Sequence, residues 1–438
     1  MKSTDDSILI TDNATTTSWF RAAAPYIHAH RNATFVVTFD GETVASPSFN
    51  ALIHDFALLN SLGIRLVLVY GARPQIERQC KSHNITPQYH QGLRITDNDS
   101  LKIVKSVIGK LRLDIEAKLS FSLPHSPMAD ARIRCTSGNL VTAQPVGIKD
   151  GIDYGHTGEV RRIDTIGINQ QLIQDNIVLL PPLGYSPTGE IFNLSAEAIA
   201  TATATALSAD KLIFIGHDHN ELPRELTLEQ AQDILLEMPQ PHQHTLSAAI
   251  KACGAGVQRV HLLDRAVDGA LLQELFSRDG AGTLVTTTPF ETTRPATIED
   301  VGGILDLIQP LESNGILVKR SREYLEMEID HFTVMERDGA VIACAALYPF
   351  ATKTMGELAC LAVAINYQDF GRGKQLLAVI EQQAASIGLT DLCVLTTQTT
   401  HWFLEHGFKS SQISDLPIEK QDLYNYQRNA KVFSKKLA

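Results

Sequence analysis

The chain has 438 residues, 44% of them hydrophobic and 20% charged, with a formal net charge of −11. This length exceeds what one hydrophobic core supports, so we expect two or three domains of a soluble globular protein. The acidic balance disfavours general binding to nucleic acid or to anionic membranes. No apolar run long enough to cross a bilayer and no signal peptide stand out, so we expect no membrane association.

Six cysteines are scattered through the chain without a Cys-x-x-Cys pair. This usage indicates reduced thiols and a cytoplasmic protein, with each cysteine acting as a small core residue. We expect no metal cofactor.

The first elements alternate helix and strand. Residues 18–31 predict a helix that carries three aromatic side chains, Trp19, Phe20 and Tyr26. A strand at 35–39, a helix beginning at Ser46 and a strand at 65–70 follow, which indicates a parallel pair. The pattern recurs with a strand at 177–180, a helix at 195–206 and a strand at 211–215.

Residues 1–285 resemble the amino acid kinase family, and within it the acetylglutamate kinases. The matching stretches are residues 69–76, 91–97, 193–197, 260–264, 271–276 and 280–283. The resemblance implies an α/β domain with an open, largely parallel sheet between layers of helices.

The kinase motifs themselves are degraded. The lysine and paired glycines expected after the first strand are replaced by residues 38–41, Thr-Phe-Asp-Gly, and the glycine-rich second loop by residues 70–74, Tyr-Gly-Ala-Arg-Pro. Only Glu197 matches the later catalytic aspartate, and residues 245–251 lack the expected Gly-Gly-Met stretch. Phosphoryl transfer depends on cationic groups placed around the phosphates. We therefore predict a kinase fold without kinase activity.

Arginine-sensitive members of that family suggest a regulatory role for the same domain. They resemble this chain at His261, Glu274 and Gly280, and they use an N-terminal helix like the one that carries Tyr26 to form hexamers. The resemblance implies that these four residues bind L-arginine, since a carboxylate matches the guanidinium fork. The alternative is that His261 is a core histidine and Glu274 a solvated helix residue.

Residues 286–295, Thr-rich with two prolines, predict an extended linker between the first domain and a second one at 296–438. In the second domain we expect a helix through Val301 and Ile308, a hairpin of strands at 331–336 and 341–348 around Asp338, and a strand through Glu357. A helix ending at Gly388, a strand at 392–397 and a short helix from His401 complete it.

The glycine-rich turn after the Glu357 strand predicts an anion site. Its Gln-x-x-Gly-x-Gly spacing at residues 368–373 resembles that of the GCN5-related N-acetyltransferases, in which this turn holds the pyrophosphate of acetyl-CoA. A plain helix start would read similarly. The resemblance implies that the cofactor is bound by Cys360, Leu361, Val363, Gln368, Gly371, Arg372, Gly373 and Lys374.

Together, the two domains resemble the bacterial N-acetylglutamate synthase family. This implies an enzyme that makes N-acetyl-L-glutamate and CoA from acetyl-CoA and L-glutamate, the first step of arginine biosynthesis, with inhibition by L-arginine and a hexameric assembly. Two alternatives remain: a working acetylglutamate kinase fused to an accessory acetyltransferase, and an arginine sensor without activity.

Acyl transfer to an amine needs a base and a proton source for the thiolate. Glu357 is the candidate base, with a surface glutamate as the alternative. Thr396 is the candidate proton donor, although Thr397 is adjacent. A substrate with two carboxylates needs fixed cations, for which Arg320 and Arg428 are the candidates, with Lys319 or Arg322 as substitutes for Arg320.

Overall fold

A computed structural model describes residues 13–120, 133–216, 222–238, 243–287, 291–337, 339–350, 354–422, 424–426 and 428–437. The chain divides into two compact units, Met1–Thr288 and Pro289–Ala438. Among the described helices, none has the length and apolar composition needed to span a bilayer.

The first unit is built on strands that read as short, continuous apolar runs. Its strands are β1 Thr34–Phe39, β2 Arg65–Tyr70, β3 Gln88–His90, β4 Leu93–Ile95, β5 Cys135–Thr136, β6 Val141–Pro145, β7 Ile148–Lys149, β8 Ile152–Asp153, β9 Gly158–Ile163, β10 Ile177–Leu180, β11 Leu183–Tyr185, β12 Ile191–Asn193, β13 Lys211–Gly216, β14 Glu225–Thr227, β15 Arg259–Asp264 and β16 Thr283–Thr286.

The helices of this unit cover the strands. They are α1 Asn13–His30, α2 Gly41–Ala45, α3 Phe49–Ser61, α4 Arg73–Ser82, α5 Asn98–Leu119, α6 Thr165–Ile173, α7 Ala196–Leu207, α8 Leu228–Glu237, α9 Gln243–Gly254 and α10 Ala270–Phe276.

Eight strands form the main sheet in the order β14-β16-β15-β13-β1-β2-β10-β5. Every pair is parallel except β15 with β16. Along β1, Phe35 and Val37 pack into a core with α3 and α5, whereas Val36 packs into a second core with α7 and α9. A parallel sheet buried on both faces explains why β1, β2, β10 and β13 lack polar alternation, and the predicted fold is confirmed.

The second unit is a seven-stranded sheet with helices on both faces. Its strands are β17 Glu291–Pro295, β18 Phe332–Arg337, β19 Ala340–Pro349, β20 Met355–Val363, β21 Asp391–Thr396, β22 Lys409–Ser411 and β23 Lys431–Lys436, in the order β17-β18-β19-β20-β21-β23-β22. Its helices are α11 Val301–Ser313, α12 Arg322–Met327, α13 Arg372–Ser386, α14 Thr400–Glu405 and α15 Ile418–Asp422. Asp338, in the predicted hairpin turn, lies outside the described residues, but β18 and β19 pair antiparallel on either side of it.

The predicted linker at 286–295 is too long. Thr286 ends β16, residues 288–290 lie outside the described ranges, and residues 291–295 form β17, antiparallel to β18. Threonine favours extended backbone, and an edge strand tolerates a proline that cannot donate a hydrogen bond. The unit boundary therefore falls at 288/289.

Candidate active site and effector pocket

The turn before α13 leaves backbone amides open. Gly371 has φ 73°, a left-handed conformation that suits glycine, and among described atoms beyond its chain neighbours none lies within 4 Å of where a Cβ would sit. At Gly373 a Cβ would come within 3.2 Å of the Trp402 ring, so glycine also lets α13 approach α14. The first N–H groups of a helix have no intrahelical partner and favour an anion. The turn therefore fits a diphosphate.

The side chains around this turn take different roles. Arg372 is 9% exposed and binds the Glu291 carboxylate at 2.5 to 2.9 Å, so only its backbone N–H is left to contact a diphosphate. Gln368 donates to the Val363 carbonyl at 3.1 Å, and both Gln368 and Lys374 are exposed.

A bulge in β20 changes the direction in which its side chains point. Cys360 has φ 52°, and the register against β19 shifts between Cys344 and Ala346. Leu361 and Val363 consequently pack on the α13 side of the sheet, whereas Cys360 packs on the α11 side. A bulge of this kind turns backbone groups out of the ladder, where a ligand can reach them.

Glu357 lies where two strands part. β20 pairs with β21 over Met355–Glu357, and beyond Glu357 the described residues show no further pairing between the two strands. Glu357 is 9% exposed, and its carboxylate binds the Lys420 ammonium at 2.7 Å. Burial and the Glu357 charge raise the pKa of the neighbouring Cys393 thiol to about 12, so that thiol is not a nucleophile at neutral pH. The surface alternative for Glu357 is wrong.

The two threonine hydroxyls after β21 differ in their partners. Thr396 lies 2.9 Å from the Thr399 hydroxyl and accepts from the backbone N–H groups of Gln398 and Thr399. The Thr397 hydroxyl is buried and has no hydrogen-bond partner within the described residues. Both hydroxyls lie at the divergent end of β21.

The two predicted substrate arginines come together. The guanidinium of Arg320 donates to the Val318 carbonyl at 3.1 Å, and that of Arg428 donates to the Ile316 carbonyl in the same loop. Burial lowers the pKa of Arg428, and the nearby Arg320 charge lowers it further. Two guanidinium groups held this close favour a dicarboxylate ligand. Lys319 is exposed.

In the first unit, Asp40 and Gly71, which lie in the degraded kinase motifs, have partners within the same unit. Asp40 accepts hydrogen bonds from Thr43 and binds Arg265 at 2.7 Å. A Cβ at Gly71 would lie 3.0 Å from the Gly41 nitrogen, so these glycines allow backbone packing. A neighbouring cavity, lined in part by Thr43 and Arg265, measures about 30 Å³. A volume of this size holds one or two waters.

His261, Glu274 and Gly280 form one buried network with Lys211. His261 Nδ1 lies 2.6 Å from Glu274, and His261 Nε2 lies 3.3 Å from the Lys211 ammonium. Burial and Lys211 lower the pKa of His261, so the imidazole is neutral and donates from Nδ1. The solvated alternative for Glu274 is therefore wrong. A Cβ at Gly280 would lie 2.5 Å from the Glu274 carboxylate, and φ there is 64°.

Hydrogen-bond donors around the Glu274 carboxylate keep it ionised. Burial alone would raise its pKa, but the His261 hydrogen bond and the backbone N–H groups of Ala281 and Gly282 outweigh burial and lower the pKa to about 2. The helix that carries Tyr26 is anchored nearby, because His30 bonds the Leu275 carbonyl at 2.8 Å.

Sequence reasoning missed Lys420, Arg265, Lys211 and Tyr348. Lys420, Arg265 and Lys211 each gain a role from a partner far away in sequence, and Lys420, for example, lies 63 positions after Glu357. Only Tyr348 carried a local signal, since it lies on a strand beside the Glu357 strand.

The fold and site define an amino acid kinase-like unit followed by an acetyltransferase unit. Residues 33–220 match the model of the Amino acid kinase family, and residues 303–408 match that of the Acetyltransferase (GNAT) family. An amino-acid acetyltransferase of Ectopseudomonas mendocina is 54% identical over 427 residues, 96% of this chain and 99% of the relative.

The crystal structure of N-acetylglutamate synthase from Neisseria gonorrhoeae complexed with coenzyme A and L-arginine is 38% identical, with TM-score 0.85. The structure of that enzyme complexed with coenzyme A and N-acetyl-glutamate gives TM-score 0.61. Each covers 96% of this chain and 99% of the solved chain. The chain belongs to the amino-acid acetyltransferase family. The predicted resemblance and enzyme class are confirmed, and the alternative of an inactive sensor is wrong.

Proposed function

We propose that this protein transfers the acetyl group of acetyl-CoA to the α-amino group of L-glutamate and that L-arginine inhibits it through the first unit. The observation that carries the proposal is that Arg320 and Arg428 both hydrogen-bond to the 316–318 loop, and that Leu317 of this loop packs in the same cluster as Cys360 on the strand that presents Glu357. The Neisseria relative, solved with coenzyme A together with L-arginine or N-acetyl-glutamate, supports the same ligands. The reaction would open arginine biosynthesis.

Acetyl-CoA supplies the acetyl group as an activated thioester. The amides of Gly371, Arg372 and Gly373 hold its diphosphate, and the Cys360 to Val363 backbone lies along the open edge of β20. Open space around Gly371 fits this assignment.

Glu357 takes the proton that the α-ammonium of glutamate must lose before it can attack. Lys420 holds the Glu357 carboxylate at 2.7 Å in the free protein. The substrate amine enters as an ammonium ion, so it can replace the Lys420 ammonium beside Glu357. Thr396, or the unpartnered Thr397, donates toward the departing sulfur.

Arg320 and Arg428 bind the substrate carboxylates. The guanidinium of each arginine donates a hydrogen bond to a carbonyl of the 316–318 loop. A carboxylate is a stronger acceptor than a carbonyl, so a substrate carboxylate can replace it. The pair selects glutamate over amino acids with one carboxylate. Lys319 contributes long-range attraction only.

L-Arginine binds the Glu274 carboxylate. Glu274 is ionised, and its donors come from His261 and from the loop that follows Gly280. A guanidinium at this carboxylate reorganises the loop beside α10, and α1 with Tyr26 packs on α10 through His30. We further propose assembly as a homo-oligomer, a hexamer by family resemblance, in the cytoplasm.

A thiol-release assay on the purified protein tests the reaction. We expect CoA release that requires L-glutamate, with N-acetyl-L-glutamate identified by mass spectrometry, and little release with L-glutamine. Absence of glutamate-dependent release would refute the proposal.

The effector pocket is tested by titrating L-arginine against turnover in the wild type and in Glu274→Gln. The variant keeps the side-chain shape but loses the charge, so the inhibitory concentration should rise at least tenfold. Glu225→Gln, a glutamate of the same unit on β14, serves as a control. Unchanged sensitivity in Glu274→Gln would reject this pocket.

A further inference from the structure

The Tyr348 hydroxyl has no assigned role. It is buried and has no hydrogen-bond partner within the described residues, although the Tyr348 ring packs 4.8 Å from the His331 ring. Buried hydroxyls are almost always paired, because leaving one unsatisfied costs free energy. A buried donor that lacks a protein partner among the described residues, at the edge of a binding site, is available to a ligand.

Tyr348 lies beside the base. In the antiparallel ladder of β19 and β20 it is directly opposite Glu357, and directly opposed residues project from the same face of a sheet. That face is the α11 side, against which Tyr348 packs together with Cys360. Tyr348 therefore shares a surface with the candidate base and with the bulge.

The charges around Tyr348 connect it to the substrate arginines. Its hydroxyl stays protonated, since burial and Tyr324 raise the pKa of Tyr348 while Arg320 acts in the opposite direction. Arg320 acts in the same way on the pKa of Cys360 and of Arg428. The loop that precedes Arg320 packs at the same place, because Leu317 belongs to the cluster that contains Tyr348 and Cys360.

We propose that the Tyr348 hydroxyl donates a hydrogen bond to a carboxylate of the acceptor amino acid, sharing that carboxylate with Arg320. The identity of the acceptor as glutamate rests on the proposed function. The bond uses a donor that has no partner among the described residues, so binding satisfies it without breaking a bond seen there.

Tyr348→Phe tests the inference. We expect KM for L-glutamate to rise roughly tenfold to a hundredfold, because a hydrogen bond to a charged group is lost. The KM for acetyl-CoA and the pH profile of kcat should stay unchanged. The midpoint of thermal unfolding should stay the same or rise, because no protein bond is removed. Tyr70→Phe is the matched control: its hydroxyl donates to the Ile108 carbonyl at 3.0 Å, so it should lose thermal stability and keep its KM.

An unchanged KM in Tyr348→Phe would overturn the inference, and a shifted pH profile with unchanged KM would assign the hydroxyl to Glu357 instead. Combining Tyr348→Phe with Arg320→Lys should give less than the product of the two single effects if they share one carboxylate. Fully multiplicative effects would overturn the sharing. Absence of glutamate-dependent CoA release in the wild type would refute the proposed function. Glutamate-dependent release in the wild type, with an unchanged KM in Tyr348→Phe, would refute only the inference.

Discussion

The strand ends of the two units differ in how their polar groups are satisfied. In the first unit, Asp40 is paired with Thr43 and Arg265, and glycines bring neighbouring loops into contact. In the second unit, the Tyr348 and Thr397 hydroxyls are buried without partners among the described residues. Among the described residues, these two hydroxyls thus lie beside the candidate acetyltransferase site, whereas Asp40 of the first unit is paired, although Gln75 Oε1 next to Gly41 also lacks a partner.

The comparison also explains the glycines of each unit. Gly41 and Gly71 are needed because a Cβ would strike backbone or proline atoms, while Gly371 is surrounded by open space. Glycine therefore allows close packing at Gly41 and Gly71, whereas at Gly371 it allows the left-handed backbone of an open turn.

The largest expected effect is on kcat, and it distinguishes Glu357 of the second unit from Asp40 of the first. Glu357→Gln should lower kcat roughly 10²- to 10⁴-fold, because the base can no longer accept a proton. Steady-state kinetics measure this, with Asp40→Asn as the matched acid in the first unit, which should leave basal turnover unchanged. Similar losses of kcat in both variants would contradict the assignment of the base to Glu357.

Next in size is the loss of a substrate cation. Arg428→Ala should raise KM for L-glutamate at least roughly tenfold, because one carboxylate loses its charged partner. Arg112→Ala, which removes an exposed ion pair with Glu116 in the first unit, is the control. If KM stays within twofold in Arg428→Ala, Arg428 does not bind the substrate.

A buried histidine of the first unit predicts acid sensitivity. Burial and Lys211 lower the pKa of His30 from 6.5 to about 4. Between these values the unfolded chain binds a proton that the folded one does not, so stability is fully present above pH 6.5 and falls toward pH 4, by up to about 3 kcal/mol. Urea unfolding at several pH values measures this. His30→Gln, which keeps a donor for the Leu275 carbonyl, should show a shallower dependence, and an identical slope would contradict the assignment.

The smallest effect concerns the cofactor turn. Gly371→Ala and Gly388→Ala both place a Cβ at positive φ in open space, so each should lose about 1 kcal/mol of stability. Only Gly371→Ala should also raise KM for acetyl-CoA, roughly threefold to tenfold, because it distorts the anion turn. Equal KM values in the two variants would show that the turn does not hold the diphosphate.

Much of this fold could be predicted from sequence because its signals are local. The apolar run of β2 and the glycine spacing before α13 each lie within a few residues. Local threonine propensity, by contrast, did not reveal that residues 291–295 form β17, because that strand depends on pairing with β18 some 40 residues away.

The site was less predictable for the same reason. Resemblance indicated Glu357, Arg320 and Arg428, but not that Arg372 turns its guanidinium to Glu291 or that Lys420 holds the base. Both pairings join residues distant in sequence, so no local pattern encodes them. Packing alone determines that the Tyr348 hydroxyl has no hydrogen-bond partner among the described residues.

The central claim is that chemistry takes place in the second unit and not in the first. The most direct measurement follows CoA and ADP by chromatography in the purified wild type and in Glu357→Gln, supplied either with acetyl-CoA and L-glutamate or with ATP and N-acetyl-L-glutamate. The account predicts CoA from the wild type, nearly none from the variant, and no ADP above background from either. ADP formed by both proteins at a rate comparable with acetyl transfer would contradict it.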